Sequence, residues 1–593
     1  MTDKQKPSLK LPDGKVVKES LSRIGQTGRK LVTEYLNRQA RGEVAPPADG
    51  GVVTKSFLEL SQQMVRSPGK LVEIQVAFWK DYLALLGRTG KRVLGKGEVA
   101  PVIQPAPEDR RFKDEDWARS AVFDFIKQSY LLTARAVQQT VTDVDGLDPQ
   151  TAERVDFYTR QFVDAMSPTN SIVLNPTVLK ATLESGGENL MKGFANLLDD
   201  LQRGKGELRI SMQDLGSFEV GKTVAASPGK VVFQNDLMQL IQFSPSTETV
   251  KKRPLLIVPP WINKYYVLDL SAKNSFVRWA VSQGYTVFTI SWANPDEKLA
   301  HKGFEDYLAE GPLAALDAIE RATGEREVAA VGYCLGGTLL ACALAYLAGK
   351  GDERITAATL FTTMTDFSEP GEIGVFIDEE QLQQLEKQMN ERGYLDGGQM
   401  AAAFSMLRSN DLIWSFVVNN YLLGRDPMPF DILYWGSDNT RMPAKMHGYY
   451  LRNMYQHNRL KEPGGITLLG QGLDLSKVSV PVYFLSARED YIAPWKTTYL
   501  GTQIVRGPAR FVLAGSGHIA GVLNPAGSKK YGYATNPEVP ATPEAWLSGA
   551  EAHPGSWWGD WLAWIGPTSG PDVPARTPAD GEDAPGTYVK VRY

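Results

Sequence analysis

Cys334 stands in Gly332-Tyr333-Cys334-Leu335-Gly336-Gly337, between a short apolar run (Val328–Val331) and a helix-like run (Thr338–Leu347). Glycines on either side are a steric requirement of a sharp strand-to-helix turn that lifts one side chain above a sheet. Serine is the usual residue at such an apex, and here it is a thiol. A thiolate attacks thioesters well and becomes a thioester itself, so the motif points to acyl transfer.

Two more groups appear downstream in a useful order. Val482-Tyr483-Phe484-Leu485-Ser486-Ala487 reads as a buried strand running into the acidic loop Arg488-Glu489-Asp490. Phe511-Val512-Leu513-Ala514 reads as the next strand, delivering His518 through the turn Gly515-Ser516-Gly517. Asp490 can orient and charge-stabilise the His518 imidazole, and His518 can take the thiol proton. Glu489 is adjacent, but neighbouring side chains on an extended segment point apart; Asp490 is the choice. Nucleophile, acid, histidine is the chain order of α/β-hydrolases.

An oxyanion site needs two backbone N–H groups, the first from Leu335, which follows the nucleophile. The second should come from the loop after Leu255–Val258, which reads Pro259-Pro260-Trp261-Ile262-Asn263-Lys264-Tyr265-Tyr266. Prolines have no N–H, so Trp261, Ile262 or Asn263 must donate, and Ile262 is chosen. Cys342 lies eight residues beyond Cys334 on the same expected helix, about 12 Å away along its axis. It can share no acyl group with Cys334 and reads as a small buried apolar residue. His301, His447, His457 and His553 lack any comparable context and read as structural or surface residues. No metal site is expected.

These groups need a sheet to carry them. From about residue 230, β-branched or aromatic runs alternate with helical stretches: Leu255–Val258, Thr286–Trp292, Val328–Val331, Ala358–Thr362, Val482–Ser486 and Arg510–Ala514. Such alternation implies a mainly parallel sheet covered by helices, with functional residues at the strands' carboxyl ends. The roughly 120 residues between Thr362 and Val482 are too many for a loop and read as a cap inserted over the site. The expected fold class is α/β, an α/β-hydrolase fold with a cap between late strands, preceded by a mainly helical N-terminal region.

Upstream, Phe57, Leu60 and Met64, then Leu71, Ile74, Phe78, Tyr82 and Leu85 recur at helical spacing. Pro68-Gly69 falls between the sets, predicting two amphipathic helices. Residues 1–107 form a basic, partly disordered arm with these helices, and 108–229 a helical domain. Residues 230–565 form the catalytic domain, with the cap at about 366–475, and 566–593 a Pro/Gly-rich tail.

Composition sets outer limits. The 593 residues are 43% hydrophobic and 22% charged with net charge −4, ordinary for a soluble globular chain. Two cysteines argue against a disulfide framework and fit a reducing cytosol. The N-terminus is polar, unlike a signal peptide, and the longest apolar run, Leu339–Ala348, is too short to span a bilayer. A soluble intracellular protein is expected, with no transmembrane segment and no nucleic-acid partner. Residues 1–100 carry 18 Lys and Arg against 10 Asp and Glu, so a contact with an anionic partner or surface competes evenly with a merely solvated arm.

The Pro259–Tyr266 loop, the Cys334 elbow, Arg488-Glu489-Asp490-Tyr491-Ile492-Ala493-Pro494-Trp495, Gly515-Ser516-Gly517-His518-Ile519-Ala520-Gly521 and Gly555-Ser556-Trp557-Trp558 together closely resemble polyhydroxyalkanoate synthases. The likeness runs from about Arg110 to the end, and the length and single-chain layout resemble class I members. The resemblance implies polymerisation of short-chain (R)-3-hydroxyacyl-CoA on a Cys334–Asp490–His518 triad, with coenzyme A as carrier and product and no cofactor. It further implies a homodimer at cytoplasmic polyester granules, in contact with the growing polyester chain, the granule surface and granule-associated proteins. Asp366 and Trp435 match recurrent family positions and, with Asn263 and Tyr491, form the substrate- or cap-associated set; on their own residues, Asp366 reads as a loop cap and Trp435 as a core aromatic. Tyr491 replaces a usual histidine, and Trp261 stands where smaller or different residues are common, so either could reshape the pocket. The competing reading is a cysteine-triad hydrolase such as an intracellular polyester depolymerase.

Overall fold

The computed structural model describes residues 50–592, apart from 67, 96–98, 143, 145 and 207. For residues 1–49 the expectation of a partly disordered arm therefore lies outside the described residues. The chain divides into two compact units, residues 1–214 with 404–428, and residues 215–403 with 429–593.

The first unit is helical. Gly50–Arg66 and Pro68–Val93 are separate helices, because Pro68 lacks the N–H that would continue the first and suits the opening turn of the second. Ala121–Thr142 and Pro149–Ala165 follow, the latter capped by Asp148, which accepts from the Thr151 N–H at 3.0 Å. Part of the expected cap belongs here. Tyr421 donates to Asp200 Oδ2 at 2.6 Å, and Asn189 Nδ2 donates to the Leu422 carbonyl at 2.7 Å. Gly193 lets this segment in, since a Cβ there would strike the Tyr421 carbonyl. The segment expected at 366–475 is thus divided between the units rather than folded as one piece.

The second unit is built on a ten-stranded sheet. Its strands are β1 (Gly229–Gln234), β2 (Met238–Phe243), β3 (Leu255–Val258), β4 (Val287–Trp292), β5 (Val328–Tyr333), β6 (Ile355–Phe361), β7 (Val482–Ala487), β8 (Ala509–Ala514), β9 (Tyr533–Thr535) and β10 (Glu551–His553). Their spatial order is β1-β2-β4-β3-β5-β6-β7-β8-β9-β10. The six central strands, β3 to β8, are the six runs read from the sequence, and all pair in parallel. Burial on both faces makes such strands continuous apolar runs, which is why they are legible.

The flanking pairs β1–β2 and β9–β10 are antiparallel additions. β2 carries Gln239 and Gln242 into the interior, where their side chains bond to the C-terminal segment. That breaks its apolar pattern and hides it from periodicity. The C-terminal segment is ordered by contact through residue 592: Asp572–Pro574 pairs with Thr249–Lys251, and the Val589 and Val591 carbonyls accept from Lys264 Nζ at 2.9 and 2.7 Å. Among the described residues no helix is long and apolar enough to cross a membrane.

Register brings the strand ends together. Val258 pairs with Gly332, Tyr333 with Phe361, Phe361 with Leu485, and Ala487 with Ala514. The loops leaving β3, β5, β6, β7 and β8 therefore emerge at one edge, where an open α/β sheet places its ligand site.

Candidate active site

Cys334 follows β5 directly, at φ 53° and ψ −122°. A non-glycine residue at this positive φ is strained, and the neighbours hold it there. Its N–H donates to the Phe361 carbonyl at 2.9 Å, while its carbonyl accepts the N–H groups of Gly337 at 2.9 Å and Thr338 at 3.1 Å. The flanking glycines are spatially required. A Cβ on Gly332 would come within 2.5 Å of the Gly337 Cα, and one on Gly336 would run into the Val258 and Pro259 carbonyl oxygens. The elbow is thus wedged against the exit of β3.

His518 sits in the loop after β8 and Asp490 in the loop after β7. His518 Nδ1 is 2.7 Å from Asp490 Oδ2, and both side chains are buried. Asp490 Oδ1 accepts from the N–H groups of Ile492 and Ala493, each at 2.9 Å, so the carboxylate cannot swing away. Tyr333 fixes the histidine from the other side: its hydroxyl donates to the His518 carbonyl at 3.1 Å, and its ring stacks on the imidazole at 5.5 Å between centroids. Burial by itself disfavours an imidazolium, yet the Asp490 carboxylate and the Cys334 sulfur prevail, and the His518 pKa is pushed up to about 10. With Nδ1 committed to Asp490, Nε2 is the nitrogen left for the thiol. The structure hydrogen-bonds His518 to Asp490 and sets the Cys334 sulfur near enough to act on the imidazole's charge.

The other predicted positions fall around this line. Leu335 opens the helix that follows the elbow, Leu335–Lys350. In the facing loop the Asn263 N–H is taken by Thr440 Oγ1 at 2.8 Å, and the Ile262 N–H has no acceptor among the described residues. Asn263 itself is left-handed at φ 61°, and its side-chain amide donates to the Trp435 and Gly436 carbonyls, each at 3.3 Å. Trp435 is buried and donates from Nε1 to the Lys264 carbonyl at 2.6 Å. Asp366 closes a turn by accepting from the Ser368 N–H at 2.8 Å and holds the Asn458 amide at 2.7 Å. Burial works against its charge, but those donors keep the Asp366 carboxyl below its usual range. Asp366 and Trp435 therefore act on loops beside the site. Tyr491 directly follows Asp490 and is partly exposed. Trp261 is 2% exposed in an aromatic cluster with Trp292, Phe304 and Tyr307, so its bulk is taken up by the core. Cys342 is fully buried, and burial raises its thiol to about 12.

Residues 108–280 match the family model for the N-terminus of poly-beta-hydroxybutyrate polymerase (PhaC), and residues 236–525 match the alpha/beta hydrolase fold. A poly(3-hydroxyalkanoate) polymerase of Methylorubrum extorquens is 49% identical over 91% of this chain and 90% of its own. The poly(3-hydroxyalkanoate) polymerase subunit PhaC of Rhizobium meliloti is 47% identical over 94% of each chain, and that of Cupriavidus necator 41% identical over 89% of each. The chain belongs to the poly(3-hydroxyalkanoate) polymerase family.

Three features of the site in this polymerase-family chain leave no local signal in the sequence. Tyr333 is the variable position of the elbow, and nothing in its spacing signals that it stacks on a histidine 185 residues away. Tyr450 and Tyr455 pack edge to face at 5.5 Å, and Tyr455 packs on Phe367, just beyond β6. Burial, then the nearby Cys334 sulfur, keeps the Tyr455 hydroxyl protonated. Thr440 carried no signal at all.

Proposed function

We propose that this enzyme polymerises short-chain (R)-3-hydroxyacyl-CoA into polyhydroxyalkanoate, carrying the acyl chain as a thioester on Cys334. The observation that supports it is the His518–Asp490 pair near the Cys334 sulfur in a chain akin, over nine-tenths of its length, to proteins named polymerases.

With the Cys334 proton already held on His518 Nε2, the sulfur bonds to the thioester carbonyl carbon. The electron pair pushed onto oxygen returns as the carbon–sulfur bond to coenzyme A breaks, and the CoA sulfur leaves with the proton from His518. The 3-hydroxyl of another acyl unit then gives its proton to His518 while its oxygen attacks the acyl-enzyme, making an oxoester and freeing a thiol. Each thioester exchanged for an oxoester runs downhill. Asp490 keeps the imidazole in the required tautomer throughout. Water would end the chain as a free acid, and the buried Tyr450 and Phe367 with the half-buried Tyr455 supply an apolar surround that disfavours it. Coenzyme A enters as carrier and leaves as product, with no further cofactor. The same reading makes the enzyme a homodimer working at cytoplasmic granules.

Incubation with 3-hydroxybutyryl-CoA tests this. Free CoA and insoluble polymer should appear together, and Cys334→Ala should abolish both. Soluble 3-hydroxybutyrate in place of polymer would identify a hydrolase, and normal CoA release by Cys334→Ala would remove the thioester from the mechanism.

A further inference from the structure

Thr440 holds the two peptide groups on either side of Ile262. Its hydroxyl accepts from the Asn263 N–H at 2.8 Å and donates to the Trp261 carbonyl at 2.6 Å. Both contacts lie in a nearly dry place, since Thr440 is 5% exposed and Trp261 2%. One oxygen thus bridges a carbonyl two residues upstream of an amide, and the Ile262 N–H between them has no acceptor among the described residues.

The bridge explains the strain in the loop. Asn263 is left-handed, a conformation that costs a non-glycine side chain free energy unless its surroundings fix it. Here the Thr440 hydroxyl fixes its N–H, while its side-chain amide is fixed by the Trp435 and Gly436 carbonyls at the end of the helix Asp431–Ser437. On the far side of the loop, Trp435 Nε1 holds the Lys264 carbonyl at 2.6 Å and Asp438 accepts from the Tyr266 hydroxyl at 2.8 Å. Residues 435–440 therefore hold the loop at Trp261, Asn263, Lys264 and Tyr266. The loop in turn leaves β3 at the point where the Val258 and Pro259 carbonyls abut Gly336 of the elbow.

From this geometry we infer that Thr440 is a positioning residue for the reaction, aiming the Ile262 N–H at the oxyanion that forms on the thioester carbonyl. The inference rests on the proposed acyl transfer at Cys334. Both hydrogen-bonding roles of the Thr440 hydroxyl are taken by backbone groups; it sets the two torsions that decide where one N–H points. A donor preorganised toward developing charge contributes far more than one that must be reoriented during reaction. Threonine suits the task because a buried hydroxyl can donate and accept at once, which no apolar residue of its shape can do.

Full-length Thr440→Val and Thr440→Ser are to be compared with wild type by CoA release from 3-hydroxybutyryl-CoA and by the rate at which iodoacetamide alkylates Cys334. Alkylation consumes the thiol but builds no oxyanion. Thr440→Val should lower kcat on the order of 10- to 100-fold with KM within about twofold, and leave alkylation within about twofold. Thr440→Ser should recover most of the lost rate. A kcat near wild type in Thr440→Val, an equal loss in alkylation, or a folded Thr440→Ser no faster than Thr440→Val would each overturn the inference. Should Thr440→Val not fold, Thr440→Ala carries the same expectation, and the Thr440→Ser result decides by itself. If wild type releases no CoA, the functional reading fails; acylation of Cys334 by a p-nitrophenyl ester then measures the same bridge, because that step also builds an oxyanion.

Discussion

Asp490 gives His518 one oxygen and the backbone the other. Oδ2 lies 2.7 Å from His518 Nδ1, and Oδ1 accepts two N–H groups from the turn that follows, Ile492 and Ala493. The carboxylate is held by its own loop as well as by the histidine, so the imidazole faces a partner that is fixed in aim.

Asp490→Asn should therefore keep the fold and lose the chemistry. An amide can present its NH2 to Nδ1, which favours the wrong tautomer and leaves Nε2 unable to accept the thiol proton. A fall in kcat of roughly 100- to 10,000-fold is expected, with an unchanged melting profile. Retention of more than a tenth of wild-type kcat would show that Asp490 only packs.

The raised pKa of His518 makes a prediction about pH. A histidine whose folded pKa, about 10, exceeds its ordinary value near 6.5 stabilises the fold fully below about 6.5, and this contribution disappears as pH rises through about 10. The stability difference between wild type and His518→Gln should then be largest near pH 6 and shrink by on the order of a few kcal/mol toward pH 10. Urea unfolding at several pH values measures it, and a gap that widened with pH would contradict the ion pairing.

Gly336→Ala tests whether the elbow is held by backbone contact. The added methyl would meet two carbonyl oxygens, those of Val258 and Pro259, which belong to β3 and its exit and have nowhere to go. Destabilisation of about 1–3 kcal/mol and loss of activity are expected together. Gly349, on the solvent-side end of the same helix, faces a flexible Gln471 side chain, so Gly349→Ala should cost much less.

Cys342→Ala should leave CoA release within about twofold of wild type. The thiol is sealed in the core with its pKa driven up by burial, and its loss should cost about 1 kcal/mol of stability as a small cavity. A variant that was stable but inactive would mean that this second thiol takes part in elongation.

Much of this molecule could be read before folding. The parallel strands were legible because burial on both faces leaves mostly apolar residues in them, and Cys334, Asp490 and His518 could be placed beside one another because each follows such a strand at a turn rich in glycine or acid. The antiparallel edges were not: β2 is interrupted by glutamines that find partners only in the C-terminal segment, hundreds of residues away. Nor was the division of the 366–475 insertion, since nothing local in Tyr421 or Leu422 says that they pack on Asp200 and Asn189.

The Cys334 elbow shows the division most clearly. The sequence by itself determined that a thiol stands between glycines, because those spacings are local steric requirements. Only the tertiary structure decided what surrounds it: Tyr333 stacked on His518, and Thr440 spanning Ile262. Such contacts join residues more than a hundred positions apart, and a hydrogen bond between distant segments leaves no trace in the neighbours of either partner. Chemistry was written locally, and its aim was set by the fold.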